Sequence, residues 1–380
     1  MKSPASVLLA TALICAPLFA DQALFRNASI GYEGGSVLDI KAADVNHDGK
    51  QDVILLQQDS YQSPGLLITM FGNGDGSFRA PVKTPVSAPG SIAVGDLDGD
   101  GNVDVLLDDY NAVIEVYRGN SDGSFTLRST KKPASIVSGG NLILADLNGD
   151  GKLDLISQYG RIETFRGNGD GTFADGVIQP GPYNNGAFDI AAGDFNGDGK
   201  TDVLASTYYD GQILWTGNGD GSFNAPAYAS IDGSMVAPGD FNGDGKLDYV
   251  SMDLVNGLGF VHIGSGNGTF TAAANYHTGL ISRVFSVDFD GDGKLDIVAS
   301  GRDVVTVMRG NGDGTFAVNS YVVKASALAV ADFDGDHHLD LLAGVNRDLY
   351  HSIYDFLGSY ADPVLTLLHG NGDGSLAAYR

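Results

Sequence analysis

Seven stretches of this chain carry oxygen side chains at a spacing that suits a hard cation. They are Asp44, Asn46, Asp48 and Asp52; Asp96, Asp98, Asp100 and Asp104; Asp146, Asn148, Asp150 and Asp154; Asp194, Asn196, Asp198 and Asp202; Asp240, Asn242, Asp244 and Asp248; Asp288, Asp290, Asp292 and Asp296; and Asp332, Asp334, Asp336 and Asp340. The shared pattern is Asp-x-Asn/Asp-x-Asp-Gly-x-x-Asp. Positions 1, 3 and 5 turn three side chains into one concavity, a carbonyl at position 7 can add a fourth ligand, and position 9 closes the shell. Glycine at position 6 permits the positive φ of the reversal. Ca²⁺ takes six to eight oxygens, so up to seven calcium ions are expected. In the seventh copy His337 replaces that glycine, and its site is expected to be weaker or empty.

An EF-hand loop begins the same way but needs Glu at position 12 and flanking helices. Position 12 here is Leu55, Leu107, Ser157, Ala205, Ser251, Ala299 and Ala343, which excludes that reading. The flanks, such as Ser91-Ile-Ala-Val-Gly95 before a loop and Asp104-Val-Leu-Leu107 after one, read as strands. Each loop is then the turn of a β-hairpin. Asp, Asn and Gly also serve as plain turn formers, which accounts for one or two copies but not for four oxygen positions kept in seven.

The formal charge of the 380-residue chain is -25, which argues against nucleic acid or anionic membrane as a partner. Cation binding would relieve the self-repulsion of the acidic loops. Lys2 and the apolar run from Val7 to Ala20 have the pattern of a signal peptide over residues 1–20, leaving 21–380 as a single domain. Cys15, the one cysteine, lies in that run behind Ile14, so no lipid anchor is expected. The expectation is a soluble, monomeric protein, secreted or periplasmic, that does without disulfides.

The loops recur about every 50 residues, a period that marks propellers and solenoids. A second marker, Gly72-Asn-Gly-Asp-Gly-Ser-Phe78, is echoed from Gly119, Gly167, Gly217, Gly264, Gly310 and Gly370. Strands fall before the acidic loop (a), after it (b), before the Gly-rich turn (c) and after it (d). The fold is therefore expected to be all-β, a seven-bladed β-propeller of four-stranded antiparallel blades. The Phe ending each marker, replaced by Leu376 in the last, is expected to pack between blades. Residues 23–29 are expected to complete the final blade.

This arrangement resembles the FG-GAP/VCBS repeat family of calcium-containing propellers, found in integrin α-subunit heads, secreted bacterial proteins and fungal lectins. The acidic loops carry the resemblance; of the FG-GAP signature itself only Phe71-Gly72, Ala80-Pro81 and Ala225-Pro226 remain. Membership implies the fold and calcium at positions 1, 3, 5 and 9, and leaves the ligand open, since such scaffolds host adhesion, sugar binding and catalysis alike.

Two signals of catalysis are weak. Gly119-Asn-Ser121-Asp-Gly123 matches a nucleophile elbow but is one of the Gly-rich turns. The histidines show no zinc-type clustering along the sequence. Antiparallel order puts the acidic loops and Gly-rich turns on one face and the b–c and d–a connections on the other. That second face collects Tyr61, Tyr110, Tyr159, Tyr208 and Tyr209, a longer insertion from Asn346 to Pro363 with Tyr350, Tyr354 and Tyr360, and the d–a residues Tyr183 and Tyr276. Tyrosine beside Asp, Asn or Gln suits a sugar ring or a protein surface; the other reading is that these rings close gaps between blades. A recognition module for carbohydrate or protein is the leading reading, and a secreted polysaccharide lyase or hydrolase is the alternative.

Overall fold

The computed structural model describes residues 35–59, 63–87, 89–109, 111–134, 141–158, 161–181, 187–207, 211–230, 233–301, 304–323, 325–345 and 365–377. The expected leader and the 23–29 segment lie outside them. Within them the chain forms seven four-stranded antiparallel sheets and no helix. The chain runs a to d through each sheet, so every blade is a meander; in blade one the strands are Ser36–Ala43, Asp52–Gln58, Gly65–Met70 and Val82–Val86. Inner strand Ser36–Ala43 lies against Ala327–Ala331 of blade seven, which closes the circle.

The seventh blade departs from expectation at its outer edge. Its d strand is the C-terminal Leu376–Ala377, paired through Gly370 and His369. Outer strands bury little: the d strand Phe125–Lys131 of blade two is exposed along most of its length.

Strand b, by contrast, is buried throughout in blades one to four. Side chains of a strand alternate between its two faces, and here each face meets a neighbouring blade. Val53 and Leu55 pack with Ala329, Phe333 and Leu342 of blade seven, while Ile54 and Leu56 pack with Ile92 and Val105 of blade two. The apolar core is accordingly seven layers, one at each interblade joint. The Phe of the Gly-rich turns enters these layers as expected: Phe316 meets Phe241 at 5.5 Å, and Phe270 meets Phe195 at 6.0 Å, both edge-on.

Polar links tie the same joints. The N–H of Phe125, Phe223, Phe316 and Leu376 donates to a side chain in or just after the d strand of the preceding blade, namely Thr84 (3.0 Å), Gln179 (3.0 Å), Tyr276 (2.8 Å) and Tyr321 (3.2 Å). Tyr276, expected on the recognition rim, is thus an interblade residue, with its ring 6.0 Å from Phe316. Near the axis, Asp39 accepts the N–H of Ile92 and Asp189 that of Val236, at 3.3 and 3.1 Å. Each joins one inner strand to the next at a register shift.

Burial pushes the Asp189 carboxyl up to about 6, against the Val236 N–H and the charge of Arg283, which pull it down. From its ordinary value of 3.8 up to that point, the folded protein keeps a proton that the unfolded chain has released. The contribution of Asp189 to stability therefore falls as pH rises through this window and is constant above it. Asp189→Asn removes the ionisation, at the constant cost of one acceptor. In urea unfolding at pH 4 and pH 7 the variant is expected to gain on the parent protein at the higher pH. A difference equal at both pH values contradicts the assignment.

Candidate metal centres

In the first loop, the Asp44 carboxylate accepts the N–H of Asp48 and of Gly49 at 3.1 and 2.9 Å, Asn46 that of Asp48 at 2.9 Å, and Asp48 that of Lys50 at 3.1 Å. These short-range bonds hold positions 1, 3 and 5 inward, and the third and fifth loops repeat them. Two backbone positions are left-handed rather than one. Position 6 was anticipated; position 4 is glycine in six loops and His47 in the first, at φ 59°. His337 adopts φ 69° at position 6, so the seventh loop keeps the turn despite its substitution.

Position 9 does two jobs. All seven aspartates are buried. One oxygen of each accepts the N–H of loop position 2, as from Val45 to Asp52 at 3.0 Å and from Phe241 to Asp248 at 3.0 Å. The other accepts the N–H of the glycine that opens the Gly-rich turn, as from Gly72 at 2.8 Å and Gly264 at 2.7 Å. That glycine has no room for a side chain, since a Cβ on Gly72 would stand 2.2 Å from the Gln51 carbonyl and one on Gly264 2.1 Å from that of Leu247. Burial raises the carboxyl pKa in all seven, and the two N–H bonds only partly counter it. Asp100, at exposed position 5, goes the other way, to about 2, through the Asn102 N–H and then Arg118.

The donor set suits a hard divalent cation. In loops two and six, oxygens of positions 1, 3 and 9 lie within 4.8 Å of one another, and in loop seven those of positions 1, 3 and 5 do. Oxygens bound at 2.3–2.6 Å to one Ca²⁺ are at most about 5 Å apart. Asp288 Oδ1 is also buried with no hydrogen-bond partner.

A feature that sequence reading missed stands immediately before the Gly-rich turn. There Arg118 meets Asp98 at 3.0 Å and Asp100 at 2.5 Å, Arg309 meets Asp290 at 3.0 Å, and His369 meets Asp334 at 2.8 Å. These are the three blades with Asp rather than Asn at position 3, so a basic group faces each extra carboxylate. The signal was present as a basic residue directly ahead of four of the seven markers, Arg118, Arg166, Arg309 and His369, but blade three has Asn148 at position 3, so the match to an extra carboxylate has no meaning until strand c is placed beside its own loop. One histidine does gather with carboxylates in space: His369 Nδ1 lies with oxygens of Asp334 and Asp340.

The other chemical signals resolve simply. Asn120 to Ser124 close on the Asn120 N–H to Ser124 carbonyl bond found in the other markers, with the Ser124 hydroxyl donating to Asp122 at 2.6 Å, although Ser121 does not take the left-handed φ of the glycines at its position. Ser251 and His262 approach to 3.3 Å but are buried in blade five, with Tyr249 stacked on the imidazole; they are core. Tyr61, Tyr110, Tyr159, Tyr208, Tyr209, Tyr350 and Tyr354 lie outside the described residues.

Seven blades with a repeated acidic hairpin define a β-propeller of the FG-GAP class. The FG-GAP-like repeat family matches residues 44–107, 106–157, 146–205, 194–251 and 288–343, and the chain belongs to that family. Among solved structures it is similar to an Agrocybe aegerita lectin, described for specific recognition of non-reducing terminal N-acetylglucosamine. The identity is 22%, over 77% of this chain and 81% of that one, with a TM-score of 0.56. It is also similar to BBS1N in complex with ARL6DN, at 11% identity over 90% and 95% of the two chains and a TM-score of 0.58. No curated protein matches the chain.

The double role of position 9 separates stability from metal binding. In chelator, Asp248→Ala strands two buried N–H groups and is expected to cost about 2 kcal/mol or more. Asp244→Ala, at an exposed position, is expected to cost within about 0.5 kcal/mol. Urea unfolding of both variants checks this; equal losses contradict the structural role given to position 9.

Proposed function

We propose that this protein is a secreted calcium-binding propeller whose variable face recognises an extracellular carbohydrate or a protein surface. The observation that carries the reading is the inequality of the two faces. One bears seven near-identical hairpins with inward oxygens; the other bears connections that differ in length and composition from blade to blade. Bound Ca²⁺ would supply positive charge to the position-9 carboxylates, whose burial otherwise costs stability. The chain's own part is to present oxygens at positions 1, 3, 5 and 9 and to hold them with backbone N–H groups.

Recognition is assigned to the opposite face because its connections are free of that duty. Val255, Leu280 and Val322 stand exposed there, at 81%, 55% and 82%, apolar groups that a partner could cover. The eight tyrosines of the b–c connections and the blade-seven insertion are assigned to the same face by strand order. A lectin and a protein-bound propeller share the fold, which is consistent with either kind of ligand. Secretion follows the leader-like composition of residues 1–20.

Two measurements test the reading. A ligand that binds only the folded state at a hundredfold excess over its Kd stabilises it by about 2.7 kcal/mol per site, so the melting temperature is expected to rise with calcium and fall in chelator. An unchanged melting curve after exhaustive chelation removes calcium from the proposal. On a glycan array the calcium-loaded protein is expected to bind a restricted set of sugars, and Tyr208→Ala with Tyr209→Ala to weaken that binding. Silence against every glycan removes the carbohydrate version.

A further inference from the structure

We propose that blade seven holds a divalent transition-metal ion, with the imidazole of His369 and the carboxylates of Asp334 and Asp340 as protein ligands. The inference does not depend on calcium occupying the other six loops. His369 is the penultimate residue of strand Leu365–Gly370, the place held by Arg118 and Arg309 in blades two and six. Those guanidiniums approach the position-3 carboxylate at 3.0 Å in both cases. An arginine there can only be a counter-charge, because it keeps its proton and has no lone pair to give. A neutral imidazole has one.

The distances suit ligation. His369 Nδ1 is 2.8 Å from Asp334 Oδ2 and 3.5 Å from Asp340 Oδ1. Ligands at the usual Zn–N and Zn–O lengths around a tetrahedral centre stand roughly 3.4 Å apart, so the three groups need only small movements to share an ion. Asp340 is wholly buried and His369 is 13% exposed, which fixes two donors firmly. Asp340 Oδ1 accepts the Gly370 N–H at 3.0 Å, and a carboxylate oxygen so engaged keeps a second lone pair.

The rest of the loop is altered in the same direction. In five blades a lysine at loop position 7 lies over the second glycine of the Gly-rich turn, as Lys50 does over Gly74 and Lys294 over Gly312. In blade seven the ring of His338 lies over Gly372 instead, so the lysine that five other blades place beside this turn is replaced by an imidazole. Ca²⁺ and Mg²⁺ take oxygen ligands, whereas a mixed nitrogen and oxygen set favours Zn²⁺, Co²⁺ and similar ions. On this account the seventh loop differs from its siblings in selectivity rather than being a weakened copy.

The test uses the full chain in excess Ca²⁺, which occupies oxygen-only sites, with Zn²⁺ added and unbound metal removed by gel filtration. The parent protein is expected to retain about one Zn²⁺ per chain. His369→Gln is expected to bind it at least about tenfold more weakly. Arg118→Gln, and the pair His337→Gly with His338→Lys that restores the residues of other blades, are expected to retain it. Zinc retained equally by His369→Gln, lost with the His337 and His338 pair, or absent from the parent protein overturns the proposal. Should His369→Gln fail to fold, the Co²⁺-loaded parent protein decides: a paramagnetically shifted imidazole N–H proton resonance supports ligation, and its absence overturns it.

Discussion

A buried carboxylate with no fixed counter-charge of its own is the constraint around which each blade is arranged. Asp52 and its six equivalents sit where strand b leaves the acidic loop, out of contact with water. They are kept there by two backbone N–H groups, one from the loop and one from the Gly-rich turn. Those bonds make a single side chain the junction of two hairpins. They also explain why the turn must open with glycine, since its backbone has to come within hydrogen-bond reach of the carboxylate while passing over the position-8 carbonyl. Two neutral donors do not fully offset the loss of hydration of a charged group, and the raised pKa values at all seven positions express that deficit. The proposed divalent cation would supply the missing positive charge.

From this junction the constraint passes to the neighbouring blade. The residue at loop position 2, whose N–H the carboxylate accepts, is buried in every blade: Val45, Leu97, Leu147, Phe195, Phe241, Phe289 and Phe333. Its carbonyl accepts a glycine N–H from the Gly-rich turn of the next blade, as from Gly171 to Leu97, Gly268 to Phe195, Gly314 to Phe241 and, across the closure of the ring, Gly76 to Phe333. Loop conformation and blade docking are therefore one structural question. A charge placed in the loop bears on the joint through a single peptide unit.

Much of this was legible in the sequence because the period is strict and local. Oxygens at 1, 3, 5 and 9 and a Gly-rich marker in every repeat imply hairpins, and hairpins at seven regular intervals imply a ring. The unreadable parts are those that depend on pairing distant segments. Nothing local says that His369 returns to lie beside Asp334, since strand register alone brings them together. The same holds for Tyr276, whose place beside a variable connection suggested a rim residue until its hydroxyl proved to accept the Phe316 N–H of the next blade.

The difference between the faces has a physical basis in where the hydrogen bonds go. On the loop face a side chain or peptide commonly bonds across a joint, so a change there disturbs two blades at once. Two of the b–c turns, in blades two and five, satisfy several of their own backbone groups with a local aspartate. Asp109 accepts the N–H of Asn111 and of Val113, both at 2.8 Å, and Asp253 those of Val255 and Asn256 at 2.7 and 3.1 Å. A turn that satisfies its own backbone can change length or composition without loosening the ring, and binding residues gather on loops held by a rigid scaffold for that reason. The stiffness that the acidic hairpins impose on one side permits variety on the other, which is the physical ground for proposing recognition on the face away from the acidic loops.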